Sequence, residues 1–75
     1  MISGKQVRAA RALLGMEVAQ LARRAGVSPT TVTRFENGLT KPIKATLTVL
    51  QLTLEREGIE FLNHDAPGVR LRKRT

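Results

Sequence analysis

The stretch "LARRAGVSPTTVTRFENG", residues 21–38, decides how the chain folds. Gly26 suits a left-handed C-terminal cap, a backbone conformation that costs glycine little and other residues much. Two residues on, Ser28 is an N-cap, and Pro29 occupies the first helical position, where a missing N–H is no loss. Val27 before the cap and Val32 inside the helix form a hydrophobic staple. Val32 and Phe35 face inward, and Asn37-Gly38 ends the segment. The stretch therefore reads as the end of one helix, a tight turn, and a second short helix.

Outward from this centre, "KQVRAARALL" (5–14) reads as a first helix, with Val7, Ala10 and Leu14 on one stripe, Ser3 as cap and Gly15 as stop. "EVAQLARRA" (17–25) is a second helix, with Val18, Leu21, Ala22 and Ala25 inward and Arg23 and Arg24 outward. After the loop "LTKP", a fourth helix runs over 45–57, with Leu47, Leu50 and Leu54 on one face and Gly58 as its stop. The period then changes. "IEFLN" (59–63) and "VRLRKR" (69–74) alternate around the turn signal "HDAPG", predicting a C-terminal β-hairpin in which Val69 and Leu71 face one way and Arg70, Arg72 and Arg74 the other. A frayed basic tail is the other reading of 59–75. A lone hairpin is marginal in water, so this one must pack on the helices or on a second chain.

Composition narrows the function. A chain of 75 residues is one small domain with a modest core, burying about 60% of its unfolded surface. It has no cysteine, hence no disulfide framework or thiolate metal site, which fits a reducing, intracellular setting. No apolar run nears the roughly 20 residues that span a bilayer, and the N-terminus has no secretion signal, so a cytoplasmic location and no membrane partner are expected. Thirteen Lys and Arg against six Asp and Glu give a net charge of +7, pointing to a polyanionic partner. Nine of the thirteen are arginine, whose planar fork matches phosphates and base edges. No catalytic nucleophile, paired carboxylate or metal-ligand spacing is present; His64-Asp65 reads as turn chemistry. No enzymatic activity, cofactor or metal is expected.

Two short helices around Gly26 make a helix-turn-helix. Ala22 must be small where the helices cross, Gly26 must permit the turn, and Leu21, Val32 and Phe35 must wedge the pair together; all five stand at the required offsets. On "LARRAGVS" and "RFENG", the chain resembles the phage-repressor-like (XRE, or Cro-like) helix-turn-helix family over residues 5–58. The resemblance implies a mainly α, compact four- to five-helix lambda-repressor-like DNA-binding domain over 1–58 with its helix-turn-helix core at 18–37. The C-terminal β-hairpin or strand and basic tail (59–75) would be a dimerising extension. It further implies sequence-specific binding of a double-stranded DNA operator, usually by a homodimer on a palindrome.

Carried over by position, the resemblance lays the third helix in the major groove with Pro29, Thr30, Thr33 and Arg34 reading bases. Arg34 suits guanine O6 and N7, and the threonines offer a hydroxyl and a methyl. Thr31, the Asn37-Gly38 backbone, Lys41, Lys44, Lys5 and Arg8 are phosphate-binding candidates, while Arg23 and Arg24 are read as solvated. Five neutralised phosphates would give a log–log salt slope of about −4.5. Arg11 and Glu36 match an arginine and glutamate that pair across the core and brace the reading helix. One departure stands out: where relatives start the second helix with Ser-Gln, this chain has Glu17-Val18. That loss supports a second reading, a protein-binding adaptor that sequesters another regulator; the basic, hydroxyl-rich third helix argues against it. Val49 and Leu52 lie off the main stripe of the fourth helix, suiting either dimer contacts or burial under the hairpin, and the strand 69–74 is a second candidate for edge-to-edge pairing.

Overall fold

The computed structural model describes residues 2–63 and 67–72. Four helices precede one hairpin: α1 (Gly4–Leu14), α2 (Val18–Ala25), α3 (Pro29–Glu36), α4 (Lys44–Arg56), β1 (Ile59–Leu62) and β2 (Gly68–Leu71). The boundaries differ from the sequence reading by a residue or so at several ends. Glu17 caps α2 instead of opening it, and Arg72 lies beyond β2. His64, Asp65 and Arg74 lie outside the described residues.

Local chemistry sets each end. The Ser3 hydroxyl accepts from the Gln6 amide, and the Gln6 side chain accepts from the Ser3 amide at 2.8 Å, a reciprocal cap. The Ser28 hydroxyl accepts from the Thr31 amide at 3.1 Å. Gly26 closes α2 at φ 74, with the Val27 amide reaching back to the Ala22 carbonyl.

The core forms where the helix stripes converge. Val7 and Ala10 of α1, Leu21 and Ala22 of α2, Val32 and Phe35 of α3, and Leu47, Leu50 and Leu54 of α4 are buried together with Ile2, Met16 and Ile59. β1 and β2 pair antiparallel, Ile59 with Leu71, Glu60 with Arg70, Phe61 with Val69. β2 lies against α1 and β1 against α4. The hairpin thus packs on the helices through Ile59, Phe61 and Val69. Val49 and Leu52 remain exposed, so the hairpin does not cover that face of α4.

Candidate nucleic-acid interface

The third helix is held from beneath. The Glu36 side chain, only 2% exposed, receives both Nε and Nη2 of Arg11, at 2.6 and 2.7 Å. Nη1 of Arg11 donates to the Met16 carbonyl at 3.0 Å, so the guanidinium ties α1, the α1–α2 turn and α3 together. Hydrogen bonding to Glu36 holds the Arg11 guanidinium even more firmly charged than usual. Such a buried, bidentate pair fixes an angle because both forks are planar.

Two further contacts lock the seam between α1 and the end of α3. Gly4 lies so close to α3 that a Cβ there would stand 2.0 Å from the Phe35 carbonyl oxygen and 2.9 Å from the Glu36 Cα. Arg8 donates from Nη2 to Asn37 Oδ1 at 2.8 Å, and its Nε stands 3.7 Å from Glu36. Arg8 is therefore engaged by α3, while its guanidinium stays largely exposed. Since Oδ1 of Asn37 accepts from Arg8, the Asn37 amide nitrogen keeps both its donors for the outside.

With the base fixed, the outer face of α3 is defined. Pro29, Thr30, Thr33, Arg34 and Asn37 are all exposed and recur at i, i+1, i+4, i+5 and i+8, one face of a helix. Among the described residues, Arg34 has no acidic partner, and neither do Arg23, Lys5, Lys41 or Lys44. Lys41 and Lys44 follow α3 in the next loop and the first turn of α4. The face presents donors and uncompensated positive charge without a hydrogen-bonded acid to satisfy them, the chemistry of a surface that meets acceptors and anions.

Other candidates are placed differently from the sequence reading. The amides of Asn37 and Gly38 donate to the Thr33 and Phe35 carbonyls, at 3.0 Å each, so this backbone is already used within the chain. The Thr31 hydroxyl lies 2.9 Å from that of Ser28 and belongs to the cap. Arg24 is not simply solvated, because it pairs with Glu57 at 2.9 Å. At the head of α2, the Glu17 amide donates to Gln20, and Glu17 itself is exposed. Gly4 and Gln6 escaped the sequence reading. Gln6 is buried and donates to Asn63 Oδ1 at 2.9 Å and the Gly68 carbonyl at 3.0 Å, fastening the hairpin to α1. Its only sequence signal was its place three residues after Ser3. Among the described residues no cluster of His, Cys, Asp or Glu could hold a metal ion, and no helix is long and apolar enough to cross a membrane.

Comparison with known proteins agrees with this architecture. A helix-turn-helix family model matches residues 7–54. No curated protein matches the chain. Among solved structures, the chain is similar to the solution NMR structure of the DNA-binding domain of the P22 c2 repressor (1–76), with a TM-score of 0.67 and 29% identity, over 73% of this chain and 72% of that one. The match runs from inside α1 almost to the end of α4 and so takes in the Arg11–Glu36 brace and the whole exposed face of α3. The chain belongs to the XRE-type helix-turn-helix family.

Proposed function

We propose that this protein is a sequence-specific, double-stranded DNA-binding transcriptional regulator, acting as a repressor or autoregulator on a palindromic operator as a homodimer. One observation carries the reading: the outer face of α3 is exposed along its length while its inner face is pinned by the buried Arg11–Glu36 pair. A helix pre-oriented in this way enters a major groove without reordering, so its contacts are not spent on fixing its own pose. The P22 c2 repressor domain, a DNA-binding domain by its description, supports the same role.

In this reading Arg34 bonds bidentately to a guanine, Thr30 and Thr33 meet bases or thymine methyls, and Pro29 packs at the groove wall. Lys41 and Lys44 take phosphates along one strand, Lys5 another. Arg8 and the Asn37 amide form a joint donor pair at the α1–α3 seam, which replaces the backbone contact first expected at Asn37-Gly38. Glu17 beside the duplex is repulsive, so the α2 terminus contributes little grip. One domain buries too little for strong discrimination, and two half-sites about 34 Å apart suit a dimer.

Fluorescence anisotropy on duplex fragments tests the proposal. Arg34→Ala should weaken the preferred duplex by about 1–3 kcal/mol while leaving binding to unrelated duplex nearly unchanged. Equal affinity of both proteins for the preferred duplex would remove Arg34 from base reading, and failure of the wild-type chain to bind any duplex would favour the adaptor reading.

A further inference from the structure

Asn37 is followed by glycine, the residue that shields its own backbone nitrogen least. In such a pair that nitrogen attacks the asparagine side-chain carbonyl carbon. A bond forms between Gly38 N and Asn37 Cγ, the amide proton passes to the departing nitrogen, and ammonia leaves. Water then opens the five-membered imide. Opening at the side-chain carbonyl gives aspartate; opening at the backbone carbonyl gives isoaspartate, with an extra methylene in the main chain. Water is the only co-reactant, and nothing is oxidised or reduced. Asn37 is exposed, so water is at hand, and the net charge of +7 favours the amide anion that attacks.

The fold holds the pair out of this reaction. Asn37 sits at φ −88 and ψ 2. At that ψ the Gly38 nitrogen eclipses the nitrogen of Asn37 itself and lies away from the side chain, out of reach of Cγ. Two hydrogen bonds set the angle. The Gly38 amide donates to the Phe35 carbonyl at 3.0 Å, and the Leu39 amide donates to the Arg34 carbonyl at 2.8 Å. Gly38, at φ 73, turns the chain so that both form. Ring closure therefore waits for the last turn of α3 to open. The Phe35 carbonyl oxygen that latches Gly38 is also the atom that a Cβ on Gly4 would meet at 2.0 Å, so α1 backs the latch.

The product keeps one contact and loses another. Asn37 Oδ1 accepts from Arg8 Nη2 at 2.8 Å, and a carboxylate oxygen accepts from the same guanidinium at least as well. The seam between α1 and α3 thus survives conversion. The second side-chain atom changes from a donor of two protons to a charged acceptor. On a face that meets phosphates, a donor becomes a like charge. We propose that Asn37 is a site of spontaneous deamidation, latched by the Gly38–Phe35 hydrogen bond, whose aspartate product leaves the chain folded and weakens its hold on duplex DNA. The weakened hold rests on the proposed function; the chemistry and its latch do not.

Mass spectrometry of the chain held in warm, mildly alkaline buffer tests the site. The tryptic peptide 35–44 isolates Asn37 from Asn63, the other asparagine. A synthetic peptide of residues 33–41 should lose ammonia about tenfold or more faster than the folded chain. Gly4→Ala displaces the latching carbonyl and should speed conversion at Asn37 about threefold or more, whereas Gln6→Leu, which loosens the hairpin instead, should stay within about twofold of wild type. Asn37→Asp, the product made directly, should keep its far-ultraviolet spectrum, bind duplex about tenfold more weakly and lower the magnitude of the log–log salt slope by about 0.9. Equal rates in peptide and folded chain, no acceleration in Gly4→Ala, or equal acceleration in Gln6→Leu would each overturn the latch. Duplex binding by Asn37→Asp as tight as wild type would overturn the consequence. A wild-type chain that binds no duplex strikes the regulator reading alone, because the mass spectra are recorded without DNA.

Discussion

Replacing Gly4 by alanine adds a single methyl group at the seam on which the reading helix rests. Built on the existing backbone, that carbon stands 2.0 Å from the Phe35 carbonyl oxygen, 2.7 Å from its carbonyl carbon and 2.9 Å from the Glu36 Cα. All three obstacles are backbone atoms of α3, so no side chain can swing aside; α1 or α3 must move. Alanine ordinarily favours a helix over glycine by up to about 1 kcal/mol. Overpacking costs about 1–3 kcal/mol, and the rigid neighbours place this site at the upper end. The net loss should be about 2 kcal/mol, equivalent to a fall in melting temperature of about 8–16 °C for a domain of this size. Calorimetric or urea unfolding measures it, with Lys5→Ala, one residue on and exposed, as a control expected within about 0.5 kcal/mol of wild type. Displacing the end of α3 should also lower duplex affinity in the fraction that remains folded. A Gly4→Ala protein as stable as wild type would refute the close approach and the reasoning built on it.

Glu36→Ala leaves the Arg11 guanidinium stranded and should cost about 3 kcal/mol in urea unfolding; joint replacement of Arg11 and Glu36 by methionine should recover most of it, since a buried pair is often no better than apolar packing. Gln6→Leu removes the donors to Asn63 and Gly68 and should cost about 1–3 kcal/mol, with amide exchange accelerating first in the hairpin. Lys41→Ala and Lys44→Ala should each reduce the magnitude of the log–log salt slope of duplex binding by about 0.9, with little change in sequence preference.

What the sequence discloses about this fold is local. Ser28-Pro29, Gly26 and Gly15 act through their own neighbours within a few residues, and they mark helix ends unaided by the rest of the chain. The outer face of α3 is legible for the same reason, because its positions follow from helical periodicity once Ser28 fixes the start. The hairpin was legible from alternation, though its ladder phase was not, since that depends on one cross-strand bond between Arg72 and Gly58. Gly4 looks like an ordinary first-turn residue until α3 is laid against it. Gln6 looks like half of a cap; that it also holds Asn63 and Gly68 depends on contacts 57 and 62 residues away. The sequence offers Arg8 as a separate phosphate contact and Asn37 through its backbone, whereas the fold brings their side chains to 2.8 Å. Non-local pairs of this kind are fixed by packing and leave no mark on adjacent residues.

Selection of bound duplex from a random pool, run in parallel with the wild-type chain and Arg34→Ala, tests the reading of α3 most directly. Enrichment by wild type of two inverted half-sites about one helical turn apart, each with a guanine that the variant no longer requires, is the predicted result. Identical enriched sequences from both proteins, or no enrichment from wild type, would contradict it.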